Sequence, residues 1–317
     1  MNKVCLIIPF FGKWPIYFPL FLRSVSSVEI IDVLFFTDLP YDLDIPKNVR
    51  VINGSLHDFN EMATVSIGRE INVREPYKLC DFKPAYGKIF GDYIQGYSHW
   101  AFGDIDVLYG RVAKLLPHDW WMYDVLTFRK EWLSGSLTIL RNNSEINSLF
   151  TMSSSYQECF RKDDNSGFDE CWNLYHVLQG KGPDEIFSVD NRQSFTWIIA
   201  TYRNEGKLRV FQEKLIKESI PAGDCVFYND GKVIDRIGKE YIFYHYITEK
   251  RTSRFSFLSC ENIPEQFVIT RYGFLKKDEY QTILHYLKVL RGEFANAMAI
   301  VMKICVKSVK IIKRVFI

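Results

Sequence analysis

Two short stretches near the start of the chain, Val4 to Ile8 and Ile31 to Phe36 (IDVLFF), are near-continuous apolar runs. A strand that is apolar on both faces has to be covered on both faces, which is the condition of a buried parallel strand. Pro9 ends the first run, and a loop holding Gly12 and Pro15 leads into a helix predicted over Tyr17 to Ser27. Thr37-Asp38 closes the second run. Val49 to Asn53 follows as a third short strand and Phe59 to Ile71 as a helix. Strand, loop, helix, strand is the opening of a doubly wound α/β sheet. The opening MNKVCLIIPF is read as its first core strand and not as a signal peptide, because Pro9 cuts the apolar run and no small-residue cleavage site follows.

Further along, Phe82 to Tyr97 reads as a helix entered at Pro84, with Tyr86, Ile89, Phe90 and Tyr93 as its apolar stripe. His99 to Phe102 is a buried strand that stops at Gly103, so Asp104-Ile105-Asp106 lies at the carboxyl edge of the sheet. Open α/β sheets bind ligands beyond the carboxyl ends of their strands. By that rule Pro9-Phe10-Phe11, Thr37-Asp38 and Gly103 to Asp106 line one crevice. Downstream, Ser136 to Leu140 is a strand, Asn142 or Asn143 caps the next helix, and Phe168 to Leu178 is helical in pattern. Asn229-Asp230-Gly231 marks a hairpin, and Tyr241 to Tyr246 is an aromatic strand.

At 317 residues the chain suits one α/β domain, residues 1–250, with a smaller C-terminal helical extension, residues 251–317. Lys plus Arg (40) nearly balance Asp plus Glu (38), which argues against nucleic acid as a partner. The distribution says more. No acidic residue follows Glu293, whereas Lys303, Lys307, Lys310, Lys313 and Arg314 do. Within Ala295 to Ile317, Lys303, Lys307, Lys310 and Arg314 share one helical face and Val301, Ile304, Val309, Ile312 and Phe316 a broad apolar one. Such a helix lies in an interface against anionic headgroups, and its recurrent charges forbid spanning. Peripheral attachment to the cytoplasmic face of a membrane is the expectation. The seven cysteines are scattered without a C-x-x-C, which points to a reducing compartment and away from a thiolate zinc site.

Two Asp at i and i+2 diverge on a straight strand and converge only where the backbone bends. Gly103 and the end of the sheet permit that bend. Short carboxylates suit Mg²⁺ or Mn²⁺, which take their remaining ligands from water and substrate phosphates. The bland alternative is a solvated turn.

GDID after a hydrophobic strand, preceded by REPYKLCDFKPAYGKIF and followed by VLYG, resembles a small family of bacterial glycosyltransferase-like proteins typified by K-x-x-D-x-K-P-x-x-G and G-D-x-D blocks. That family is in turn similar to the GT-A glycosyltransferases of surface polysaccharide synthesis. The resemblance runs from Val4 to about Glu249 and is densest between Glu75 and Gly110. It implies a GT-A-like, Rossmann-related fold with a mostly parallel sheet and helices on both faces. It also implies a UDP-sugar or similar nucleotide-sugar donor and a glycan or lipid-linked oligosaccharide acceptor. Asp106 would coordinate the metal and Asp104 the metal or the ribose, with His245 as third ligand. Pro9, Phe10, Phe11 and Asp38 would embrace the base, and Lys78, Asp81 and Lys83 would sit near ribose and diphosphate. Ser134-Gly135-Ser136 would underlie the donor sugar, and Lys250 or Arg251 would close over the phosphates.

An inverting transfer also needs a base. Asp169 and Glu170, in SGFDECW, are the candidates, read as lying in a first helical turn whose dipole keeps them ionised. Asp163, Asp164, Asp184 and Glu185 are rivals. Trp132, Trp172 and Trp197 are candidates for stacking on sugar rings. The competing functions are another metal-assisted phosphate enzyme, such as a nucleotidyltransferase, and a non-catalytic carbohydrate-binding relative.

Overall fold

The computed structural model describes residues 2–41, 44–221, 223–252, 255–258, 263–276 and 291–302. It divides into one unit of Met1–Lys217 with Glu240–His245, and a second of Glu218–Lys239 with Tyr246–Ile317.

The first unit is built on a seven-stranded sheet. Its strands are β1 (Val4–Pro9), β2 (Ile31–Thr37), β3 (Val49–Asn53), β4 (His99–Gly103), β6 (Val125–Thr127), β7 (Leu137–Arg141) and β8 (Val210–Gln212), in the order β3-β2-β1-β4-β7-β6-β8. β3, β2, β1 and β4 run parallel, β7 is antiparallel to both β4 and β6, and β8 is parallel to β6. This is an α/β fold of Rossmann and GT-A-like type, with a mostly parallel sheet and a C-terminal helical extension. The strand order reverses between β1 and β4, and such a switch point opens a crevice at the carboxyl ends.

The apolar runs follow from the layering. Val4, Leu6 and Ile8 point into a cluster with Phe18, Phe21, Phe35 and Tyr109, while Cys5 and Ile7 point into another with Phe36, Phe59, Phe82, Tyr86 and Trp100. Successive strand residues alternate between faces, so a strand covered on both must be apolar at every position.

The helix after β3 spans Leu56–Ile67, entered through a capping box of Ser55 with Asp58 and ended by Gly68 at φ 75°. The continuous helix expected over Phe82 to Tyr97 is not formed. Pro76 to Tyr93 is a succession of single α and 3₁₀ turns. Pro84 has no N–H to donate, and a Cβ at Gly87 would lie 2.3 Å from the Trp100 ring. Gly87 thus lets this irregular segment press onto β4.

A small three-stranded sheet matters more for chemistry. β5 (Val107–Tyr109) pairs antiparallel with Phe243–His245, which also pairs with β9 (Ile216–Lys217). His245 lies opposite Val107 in that register.

In the second unit, Lys232–Asp235, Val226–Asn229, Gln266–Thr270 and Gly273–Lys276 form an antiparallel ladder. Asp230 (φ 49°) and Gly231 (φ 72°) make the expected two-residue turn between the first pair. Residues 291–302 are helical, with Phe294, Met298, Val301 and Met302 exposed. Among the described residues no helix is long and apolar enough to cross a membrane. Lys303, Lys307, Lys310, Lys313 and Arg314, and with them most of the predicted interfacial helix, lie outside the described residues.

Candidate active site

β4 ends at a glycine for a steric reason. A Cβ at Gly103 would stand 2.7 Å from the carbonyl oxygen of Ser136, so only glycine lets the strand end lie against the 134–136 segment. The Asp104 N–H donates to that same Ser136 oxygen (3.2 Å), and the chain then bends through Ile105 and Asp106 into β5. The bend turns both carboxylates to one side, and the ladder opposite Val107 brings His245 to them.

His245 Nε2 lies 3.3 Å from Asp106 Oδ2 and 3.9 Å from Asp104 Oδ2. One ligand atom from each of the three residues falls within 4.8 Å of the others. Asp106 and His245 are buried, while the Asp104 side chain keeps 29% of its surface. Two carboxylate oxygens and an imidazole converging with one side partly open are a donor set that fits a divalent cation. The three residues can hold a divalent metal and leave positions for other oxygens.

Lys83 joins this group to the next. Its Nζ donates to Asp104 Oδ1 (2.7 Å) and to the Gly135 carbonyl (2.8 Å), and stands 3.6 Å from Asp169 Oδ2. Burial alone would lower its pKa, but the carboxylates of Asp104 and Asp169 and the thiol of Cys80 outweigh it and the pKa is raised well above the ordinary lysine value. For Asp169 burial dominates and pushes the carboxyl well above the usual range, against the opposing pull of Lys83.

The helix expected over Phe168 to Leu178 is another correction. Trp172 (φ 53°) and Asn173 (φ 60°) are left-handed, residues 169–173 are turns, and only Tyr175–Leu178 is helical. Asp169 and Glu170 therefore do not lie in the first turn of a helix of their own; burial, which raises a carboxyl pKa, sets Asp169. Glu170 is committed on both oxygens: Oε1 accepts the Gly135 N–H (2.8 Å) and Oε2 the Tyr175 hydroxyl (2.6 Å). Gly135 has no room for a side chain, since a Cβ would come 2.9 Å from Glu170 Cδ and 3.1 Å from Asp169 Oδ2. Ser134 is buried, its N–H held by Thr127 Oγ1 (2.8 Å) and its hydroxyl paired with Ser136 (2.9 Å). Asp104, Asp106, His245, Lys83, Gly135, Asp169 and Glu170 thus form one connected group.

Lys78 and Asp81 are placed otherwise than the resemblance implied. Lys78 Nζ donates to Asp81 Oδ2 (2.8 Å) and to the carbonyls of Cys159 (2.7 Å) and Asp164 (2.9 Å), which uses all three protons of an ammonium. Asp81 in turn accepts the N–H groups of Ser166 (2.8 Å) and Phe168 (2.9 Å). The pair is fully buried and pins the loop that runs into Asp169.

At the other strand ends, Pro9 is buried and Phe11 packs edge-on against Phe36. Phe10 stacks on Trp14 with centroids 5.0 Å apart and stays half-buried, and Asp38 is exposed. Lys250 belongs to the second unit, in the 3₁₀ turn Glu249–Arg251. Trp132 and Trp172 are core residues under the guanidiniums of Arg129 and Arg192, which leaves neither indole face available as an open sugar platform. Asp163 and Asp164 are exposed, and Asp184 pairs with Arg203. Tyr175 and Thr127, which fix Glu170 and Ser134, carry no motif in the sequence.

A family model described as a family of unknown function, DUF6625, matches residues 6–278. No curated protein matches the chain. Among solved structures, a galactosyltransferase, LgtC, in complex with donor and acceptor sugar analogs is similar at 13% identity, over 57% of this chain and 71% of that one, with a TM-score of 0.32. Mouse xyloside xylosyltransferase 1 in its apo form is similar at 7% identity, over 80% and 100%, with a TM-score of 0.40. The apo form of the glycosyltransferase GlyE of Streptococcus pneumoniae TIGR4 is similar at 9% identity, over 68% and 46%, with a TM-score of 0.31.

Proposed function

The chain belongs to the DUF6625 family, and from its site we propose that it is a metal-dependent glycosyltransferase that moves a sugar from a nucleotide-sugar donor, a UDP-sugar, to a glycan or lipid-linked acceptor. The single observation that carries this reading is the convergence of Asp104, Asp106 and His245 at the carboxyl edge of the sheet, beside the switch point between β1 and β4. Asp104, Asp106 and His245 would hold Mn²⁺ or Mg²⁺, which would supply charge to offset that of a diphosphate leaving group.

The chain's own residues supply the rest. Lys83 holds Asp104 in place from behind, and its charge offsets the cluster of carboxylates. Gly135, with its N–H on Glu170, its carbonyl on Lys83 and no side chain, lets the carboxylates of Asp169 and Glu170 pack directly against the segment proposed to underlie the donor sugar. Glu170 is a positioning residue, since both its oxygens are spent. Asp169 is the carboxylate that takes the acceptor proton, a role that needs its ionised form, which Lys83 at 3.6 Å favours against burial. Phe10 and Asp38 meet the base and ribose. The exposed apolar residues of helix 291–302, followed in sequence by five basic residues, support attachment to an anionic membrane surface where a lipid-linked acceptor resides.

Calorimetry with UDP tests the core of the reading. Binding should require Mn²⁺ or Mg²⁺ and disappear in Asp106→Ala while the far-ultraviolet spectrum is kept. UDP binding that ignores the metal, or survives Asp106→Ala, rejects it.

A further inference from the structure

A second cavity lies in the first unit, of about 470 Å³, and neither the metal ligands nor Lys83 and Asp169 line it. Its walls are the end of the helix Leu56–Ile67, the segment that follows as far as Arg74, and the helix Tyr156–Arg161 with Asp163 beyond it. The volume falls in the range of small-ligand sites, about 300–1,000 Å³.

Its chemistry is uneven. Arg69, Arg74 and Arg161 meet there with only Glu70 and Asp163 to oppose them. Arg74 approaches Asp163 no closer than 3.8 Å with both side chains largely exposed, and Arg69 has no ion-pair partner among the described residues. Arg161 donates its Nε–H to the Gln157 carbonyl (3.1 Å), and the remaining guanidinium N–H groups of the three arginines are open to an added anion. Phe160 forms a rigid part of the wall, stacked on Phe82 at 4.1 Å, and Tyr156 stands edge-on to it at 5.7 Å. Phe160 is itself buried and backs the wall, so the half-buried Tyr156 ring is the aromatic surface left to receive the C–H face of a sugar ring, while guanidinium forks grip a carboxylate or phosphate in a bidentate way.

Position connects this cleft to the active site. Asp163 precedes Asp169 by six residues, so their backbones can be no more than about 20 Å apart even if the loop were extended. The loop is held at Asp164 by Lys78 and at Ser166 and Phe168 by Asp81. A separation of that size is within the length of a chain of a few sugars.

We infer that this cleft binds an anionic saccharide, a sugar bearing a carboxylate or phosphate, and that it holds the acceptor chain behind its reacting end. The acceptor role rests on the transferase reading; the binding does not. Titrations of the full chain use tetragalacturonate, glucose 6-phosphate and a neutral tetrasaccharide, against wild type and an Arg74→Gln/Arg161→Gln double variant. Both substitutions are at exposed side chains, and thermal melting verifies the fold. At least one anionic probe should bind at least tenfold tighter than the neutral one, with that preference lost in the double variant. The two anionic arms separate a carboxylate site from a phosphate site. Equal binding of charged and neutral probes, no binding of any, or an unchanged preference in the double variant overturns the inference. Metal-dependent UDP binding, measured alongside, stays unaltered in the double variant, so its loss in wild type would count against the transferase alone.

Discussion

Lys83 is the residue whose removal should reveal the electrostatics of the site most directly. Lys83→Met keeps length and apolar stem and deletes one charge from between Asp104 and Asp169. The Gly135 carbonyl loses a hydrogen bond, worth about 1 kcal/mol. Asp104 is part-exposed, so water compensates it and its loss adds less than about 1 kcal/mol. Asp169 is buried and can escape only by taking a proton. Remaining protonated at pH 7, against an unfolded value near 3.9, costs at most about 4 kcal/mol, and at pH 5 at most about 1.5 kcal/mol. Lys83 pulls the folded pKa of Asp169 down against burial, so its removal raises that pKa further; a carboxyl that binds its proton more tightly when folded favours the folded state at low pH, and that advantage is lost as pH rises. Urea unfolding with EDTA present should therefore show Lys83→Met destabilised by about 3–5 kcal/mol at pH 7 and by roughly 2 kcal/mol at pH 5. A loss that is the same at both pH values would mean that Lys83 acts through packing and not through Asp169. No loss at all would refute the network.

Asp81→Ala strands the buried Lys78 charge and frees the N–H groups of Ser166 and Phe168, and should cost about 3–5 kcal/mol in urea unfolding. Hydrogen exchange should speed up first in residues 162–168, and exchange that rises evenly across the unit instead would contradict the assignment. His99 is buried with Nε2 on the Tyr123 carbonyl (3.0 Å), and burial lowers its pKa below 6.5. A histidine depressed in the folded state stabilises above its unfolded pKa and loses that contribution as pH falls, at up to about 1.4 kcal/mol per pH unit below about 6.5. His99→Gln should remove that slope, and a wild-type minus variant difference that stays flat from pH 7.5 to 5.5 would show that His99 does not titrate in this window.

The parts of the fold that were legible in the sequence are those where one local rule suffices. β1 and β2 appear as apolar runs ended by Pro9 and Thr37, because burial on both faces leaves almost no polar position to blur them, and β3, at the sheet edge with Arg50 exposed, shows through its β-branched residues. Asn143 caps its helix through the Ile146 N–H as a capping asparagine should. β5, β6 and β8 have only three residues each, too few to show a period. The broken segment from Pro76 to Tyr93 keeps the apolar spacing of a helix, and its close seat on Trp100 at Gly87 is a tertiary fact that local pattern does not show. The left-handed Trp172 and Asn173 leave no trace in composition either. Asp104 and Asp106 were legible as a pair because the bend follows from a glycine at a strand end. The approach of His245 depends on a ladder between β5 and a strand far along the chain, for which local pattern gives only an aromatic run.

The spacing of Lys78, Asp81 and Lys83 explains how one short segment serves two ends of the same loop. At 3.6 residues per turn, positions three apart return to nearly the same side, while five residues carry the chain about 140° further round. Lys78 and Asp81 therefore form a pair on one side, and Lys83 points away from it, even though the segment is broken into single turns. The pair takes the 159–168 loop, and Lys83 takes Asp104, the Gly135 carbonyl and the neighbourhood of Asp169. The main chain immediately before Asp169 and the carboxyl of Asp169 are thus fixed from a single stretch of six residues. Gly87, a turn later, locks that stretch onto β4, the strand that presents Asp104. Any shift of this segment would move Asp169 and the Asp104 carboxylate together, so the distance between them is held by construction. On the proposed transferase reading, a base that must stay in register with the metal ligands needs that arrangement more than it needs a lysine aimed at the phosphates.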